Sequence, residues 1–467
     1  LNLLFWKLLK NNTKPMSSTI LIINNHLELQ IIERHFPDLK DASLILLSSN
    51  FSSEQLDEYA SRGYTYFDAP ITDEDAYRLS NDIHHLIWNW FLDENGNDIS
   101  LIDGCSLGSA FASSLEILFN SLLRYLYGLG KLLNGNQIVY YSSLTEDIFL
   151  DVLTHLQKEI GFVLRPIETS QAQKTINFGN RKQKFDAGGR KRDLGPIFQQ
   201  GGWKDKVASL VLQFLQAKPK DEKRVLLMPA GKMDTYIKHV RKNGSPKDFH
   251  WIFPITRSRD LFGSWKNSTF SYHFSSIGQD MSNNISSLLQ RLKANLYRDV
   301  FRVPPELLIT VMERYTFTHF PRAMNYFYNA KKMFQYLRPE LAILSADSYE
   351  TFILVAQAAK QVGVKTALLP HGLYYWGYSE YQSGRFQVFD YGMAFGQVDV
   401  DNYRTSGIPE EKIHITPFPY FEHFLPFKKA STPYYHKALI LSPDNVSVCP
   451  AYKFGEELLF YNGVSRL

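Results

Sequence analysis

The stretch at residues 339–372, PELAILSADSYETFILVAQAAKQVGVKTALLPHG, constrains the fold more tightly than any other part of the chain. Two short apolar runs, Leu341-Ala342-Ile343-Leu344 and Ala367-Leu368-Leu369, have the length of buried strands. Between them Phe352, Val355, Ala356 and Ala359 recur at helical spacing, and Lys360 and Gly363 close the pattern. A strand, a helix and a strand of these lengths make a right-handed βαβ unit, which requires a parallel sheet. In open parallel sheets ligands bind outside the carboxyl ends of the strands. The polar segment Ser345-Ala346-Asp347-Ser348-Tyr349-Glu350 and the triplet Pro370-His371-Gly372 both fall at such ends.

The same alternation runs through most of the chain. A strand at 19–23 precedes a helical pattern (Leu27, Ile31, Ile32, His35) and a second apolar run at 43–47. Helices are expected at 52–61, 72–91, 107–133 and 145–160, with a strand at 137–141 before the last. The second of these opens Thr72-Asp73-Glu74-Asp75, where carboxylates favour a helix N-terminus and need no functional reading. Gly128-Leu129-Gly130 has no strand before it and no third glycine, so it is not a dinucleotide fingerprint. Likewise, Gly231-Lys232 lacks the spacing of a phosphate-binding loop. Strands follow at 225–228, 250–254, 388–395, 412–416 and 438–441, with a helix at 398–407. Residues 283–336 read as a helical insertion rich in aromatics, among them Tyr315, Phe317, Phe320, Tyr326, Phe327, Tyr328, Phe334 and Tyr336. Packing is the expected use of these rings, with a sugar-stacking platform as the alternative.

Composition excludes several classes. A chain of 467 residues has room for two or three domains, and 44% hydrophobic residues suit a globular protein. The formal net charge of +4 is too small to call for a nucleic acid. Cys105 and Cys449 stand apart without a metal-binding neighbourhood, which excludes a disulfide framework and a zinc site and fits a reducing cytoplasm. The most apolar segment, 114–133, is interrupted by Glu116, Arg124 and Lys131 and reads as a buried or amphipathic helix rather than a membrane span. Residues 1–15 precede Met16 and are expected to be a non-native leader or a weak basic amphipathic anchor. Residues 170–202 carry Lys174, Arg181, Lys182, Lys184, Arg190, Lys191 and Arg192 with little apolar periodicity; they read as a solvated loop that, beside a site, would gather phosphates or anionic lipid.

The segment from Leu341 to Phe421 carries a recognisable motif series: His371-Gly372 at a strand end, Asp390 followed by Gly396, the helix end Gly407-Ile408 followed by Lys412-Ile413, and the exit Thr416-Pro417-Phe418-Pro419 with Glu422. This series resembles bacterial glycosyltransferases of the two-Rossmann GT-B architecture, particularly the CDP-glycerol glycerophosphotransferase-like group of surface-polysaccharide synthesis. Pro417 stands where glycine is usual, and Glu422 at or near the place of an aspartate. The resemblance implies an α/β fold in which a Rossmann-like acceptor domain precedes a nucleotide-binding donor domain. It implies that His371 is the general base that takes the proton of an acceptor hydroxyl, a role that suits imidazole. It also implies catalysis without a metal, so Asp399-Val400-Asp401 is read as the start of a helix rather than as a metal motif.

On these grounds residues 16–420 are expected to form the acceptor-side domain, and 421–467 the linker and the incomplete start of the donor domain. A fragment of that kind is expected to be inactive. Asp347, Ser348, Glu350, Gly372, Glu380 and Arg385 are the expected substrate-binding residues, although capping, a backbone turn and a surface ion pair account for them equally. No cofactor is expected; a nucleotide sugar or CDP-polyol donor acts as co-substrate, and the acceptor is a glycan or a lipid-linked glycan at the inner face of the cytoplasmic membrane. Two alternatives stay open: an enzyme like the UDP-N-acetylglucosamine 2-epimerases, or a non-catalytic glycan-binding protein.

Overall fold

The computed structural model describes residues 19–23, 26–35, 42–46, 58–59, 61–62, 64–67, 69–142, 147–167, 223–228, 249–252, 282–345, 350–369 and 388–416. They form a mixed α/β protein with two parallel sheets. The elements of the amino-terminal part are β1 (Thr19–Ile23), α1 (His26–His35), β2 (Ser43–Leu46), β3 (Thr65–Tyr66), α2 (Asp73–Asn89), β4 (Leu101–Ile102), β5 (Cys105–Ser106), α3 (Leu107–Leu132), β6 (Ile138–Ser142), α4 (Asp147–Ile160) and β7 (Val163–Ile167). The first sheet has the order β3-β2-β1-β6-β7, with all neighbours parallel. Beside it, β4 and β5 form a small antiparallel hairpin.

The second part comprises β8 (Lys223–Met228), β9 (Phe249–Ile252), α5 (Ser282–Leu296), α6 (Pro305–Tyr315), α7 (Phe320–Leu337), β10 (Leu341–Leu344), α8 (Glu350–Gln361), β11 (Lys365–Leu368), β12 (Tyr391–Ala394), α9 (Gln397–Thr405) and β13 (Ile413–Ile415). Short 3-10 turns at Asp299–Phe301 and Phe317–His319 join α5, α6 and α7. Its sheet has the order β13-β12-β11-β10-β8-β9, again parallel throughout. The βαβ unit read from 339–372 is therefore β10-α8-β11, in register from Leu341 opposite Lys365 to Leu344 opposite Leu368.

Local chemistry explains the main elements. At the start of α2 the Thr72 side chain accepts from the Asp75 N–H at 3.1 Å while the Asp75 carboxylate accepts from the Thr72 N–H at 3.1 Å, a reciprocal cap that uses two otherwise orphaned donors. The acids at this helix start thus serve the cap. Gly128-Leu129-Gly130 lies inside α3. At the end of α8, Gly363 has φ +77° and its N–H donates to the Lys360 carbonyl, a left-handed residue terminating the helix.

The described residues within 16–420 hold two parallel sheets, and strand and helix periodicity says nothing about which strands pair. One feature differs from the sequence reading. The helix α8, expected to bury one face, is buried at every residue from Glu350 to Ala359. It lies on β10 and β11 and is covered from outside by α7 and α3. The aromatics of the helical layer are packing residues: Phe317, Phe320, Tyr326, Phe327 and Phe334 are buried, whereas Tyr336 is exposed. One continuous apolar core runs from Ile20, Ile22 and Val139 of the first sheet through α2–α7 to Leu226, Ala342 and Leu368 of the second. Among the described residues no helix is long and apolar enough to cross a membrane.

Candidate functional site

All strands of the second sheet point the same way, so their carboxyl ends share one edge. That edge is held level by backbone bonds just past the strands: Ser345 N–H to the Met228 carbonyl (3.0 Å), Leu369 N–H to Leu344 (2.8 Å) and Thr416 N–H to Ala394 (2.8 Å). The chain leaves β8 toward β9 on one side and leaves β10 toward β11 on the other. The connections therefore diverge between Met228 and Ser345, and such a topological switch point is where open α/β sheets form a ligand crevice.

Among the described residues, Ser345 and Glu350 bring buried polar side chains to the loop that leaves β10 at this edge. Ser345, the first polar residue after β10, is fully buried, and its Oγ has no hydrogen-bond partner among the described residues. A buried hydroxyl without a partner costs about 1–3 kcal/mol, so it calls for an explanation in a way that a satisfied one does not. Glu350 opens α8 and is buried. A carboxylate in the first turn interacts favourably with the positive end of the helix. At a strand-end edge a hydroxyl can donate to or accept from a polar ligand, and a carboxylate can accept from one.

Of the residues expected at the site, only Glu350 is among those described. Asp347, Ser348, His371, Gly372, Glu380 and Arg385 lie outside them. The last described residue before His371 is Leu369, at the carboxyl end of β11. Ser345 was not singled out from the sequence as a site residue. The signal for it was available, because a polar residue directly after an apolar strand in a βαβ unit falls at the carboxyl edge.

The described motif residues on the carboxyl side of this unit have structural tasks. Asp390 sits at the amino end of β12, opposite the carboxyl edge, where its carboxylate accepts from the Thr366 N–H at 2.9 Å and the Thr366 hydroxyl at 3.2 Å. Asp399 is buried and accepts from the Phe395 N–H at 2.8 Å, closing the start of α9. Asp401 is paired with Arg404 at 2.9 Å. The two carboxylates of the Asp-Val-Asp run are thus a helix-start brace and a surface ion pair. Gly407, with φ +103°, follows α9 and lets the Ile408 N–H reach the Tyr403 carbonyl at 2.9 Å. Among the described residues no group of three or more His, Cys, Asp or Glu side chains is placed to hold a metal ion. The Cys105 thiol is buried at 0% exposure, and burial pushes its pKa far up, which makes it a packing residue rather than a nucleophile.

No family model matches the chain. No curated protein matches it either. Among solved structures it is similar to the apo form of lipopolysaccharide outer core galactosyltransferase WaaB, at 15% identity and a TM-score of 0.25 over 42% of this chain. The match spans 46% of the length of that structure's chain.

Proposed function

We propose that this chain is a transferase, or the acceptor-side part of one, that moves a sugar or polyol phosphate from a nucleotide-activated donor to the hydroxyl of a surface glycan. His371 is the general base in this reading, and Asp347, Ser348, Glu350, Gly372, Glu380 and Arg385 surround the substrates. The observation that supports it is the position of β11 in a parallel sheet, with Pro370-His371-Gly372 following directly on its carboxyl end. An imidazole, whose ordinary pKa lies near neutrality, is a group suited to removing the acceptor proton as the donor's nucleotide diphosphate leaves. The donor is a nucleotide sugar or a CDP-polyol, and the acceptor a glycan or its lipid-linked precursor at the cytoplasmic membrane face.

The test is transfer from UDP-glucose and CDP-glycerol, with donor affinity followed by titration calorimetry. The change His371→Ala lowers turnover by about 10²–10⁴-fold while donor affinity changes little. Turnover retained in the variant removes His371 from the mechanism. Absence of any donor binding by the unaltered chain favours a glycan-binding protein instead.

A further inference from the structure

Two Rossmann-type sheets in one chain invite the reading that a substrate cleft opens and closes between them, since domain boundaries are favoured places for sites and for motion. The packing argues otherwise. We infer that the two sheets, with the helices between them, are one rigid body, with no gap between the sheets that opens and closes. This inference does not depend on the transferase reading.

The seam is crossed by polar bonds and by rings. At its centre Gln357 of α8 accepts from the Ser106 N–H at 2.9 Å and donates to the Ser106 carbonyl at 3.1 Å and the Ser109 hydroxyl at 2.9 Å. Gln357 is 8% exposed, so these three hydrogen bonds are shielded from competing water. Nearby, the Tyr328 hydroxyl of α7 donates to the Asp103 carboxylate at the tip of the β4–β5 hairpin. At a second place Asn295 of α5 donates to the carbonyls of Trp90 (2.9 Å) and Leu92 (3.0 Å), and Arg298 to Leu92 (2.7 Å). Ion pairs Arg302–Asp82 (3.1 Å) and Arg314–Asp151 (3.0 Å) fasten α2 and α4 to the helical layer. Aromatic contacts fill the space between, with ring centroids 6.3 Å apart for Trp90 and Phe317 and 5.3 Å apart for Phe111 and Phe320.

A hinge needs a boundary that separates at small cost. Here separation would expose a continuous core and break a buried hydrogen-bonded cluster together, and packed cores of this kind are not continuously deformable. The seam therefore holds until the whole body unfolds.

Cys105 supplies a natural reporter, because it is fully buried in β5, which packs against α8. In the full chain carrying Cys449→Ser, Cys105 labelling by a thiol reagent is followed against urea, together with hydrogen exchange of the amides in β1 and in β10. The expected result is one urea dependence for all three, equal to that of global unfolding by circular dichroism. Different dependences for β1 and β10, or labelling of Cys105 while both strands stay protected, overturn the inference.

Discussion

At Gly392 in β12 an added Cβ would stand 2.6 Å from the ring of Tyr403, a fully buried side chain whose hydroxyl donates to the Met393 carbonyl at 3.3 Å. The ring cannot withdraw without losing its place in the core, so Gly392→Ala is expected to cost about 1–3 kcal/mol, read as a fall in the urea midpoint at unchanged slope. A second residue-scale prediction concerns Asp75. Burial pushes its pKa up, but hydrogen bonds from Lys131 and from Thr72 outweigh burial and hold the carboxyl below its ordinary value. Its contribution to stability is then complete above the unfolded pKa of about 3.9 and is lost as the pH falls through the lower folded value. Urea titrations of the unaltered chain and of Asp75→Asn, stepped down in pH, should show a gap that is constant near neutrality and closes in acid. A gap that widens in acid would contradict the assignment.

At the scale of elements, α8 joins the strands of the candidate site to α3 and the β4–β5 hairpin, and Gln357 makes polar contacts there. Replacing it by leucine leaves the Ser106 N–H and carbonyl without their partners in a buried place, at about 1–3 kcal/mol for each unsatisfied group. Calorimetry of Gln357→Leu should show a single transition at lower temperature; an unchanged midpoint would mean that water replaces the side chain. This contact could not be read from the sequence, because Ser106 is 251 residues away and local periodicity gives Gln357 an outward place. By contrast, α2 and α3 were legible, since their capping residues and their apolar spacing agree. The strands β3, β4 and β5 were not, being only two residues long. Nor was β7, which carries Pro166 and is mostly exposed, and so lacks the apolar run of a central strand. For the site, the strand-end logic pointed to the polar segment after β10, yet it passed over Ser345, whose lack of a partner among the described residues appears only once its surroundings are assembled.

For the molecule as a whole, the order of both sheets departs from the order of the chain. In the second sheet β8 lies beside β10 although β9 intervenes in sequence, a crossover that no local signal encodes. The unit that dominated the sequence thus forms the middle of its sheet, and its helix forms the middle of the molecule. That buried helix sets a condition on synthesis. The partners Ser106 and Gln357 are 251 residues apart, so at about 5–20 residues per second roughly 13–50 s pass between their appearances. Throughout that interval the surface of α3 that α8 will occupy lacks its native cover. A nascent amino-terminal half would therefore emerge with an apolar helix waiting for its partner, a substrate for chaperones before it is a body that folds.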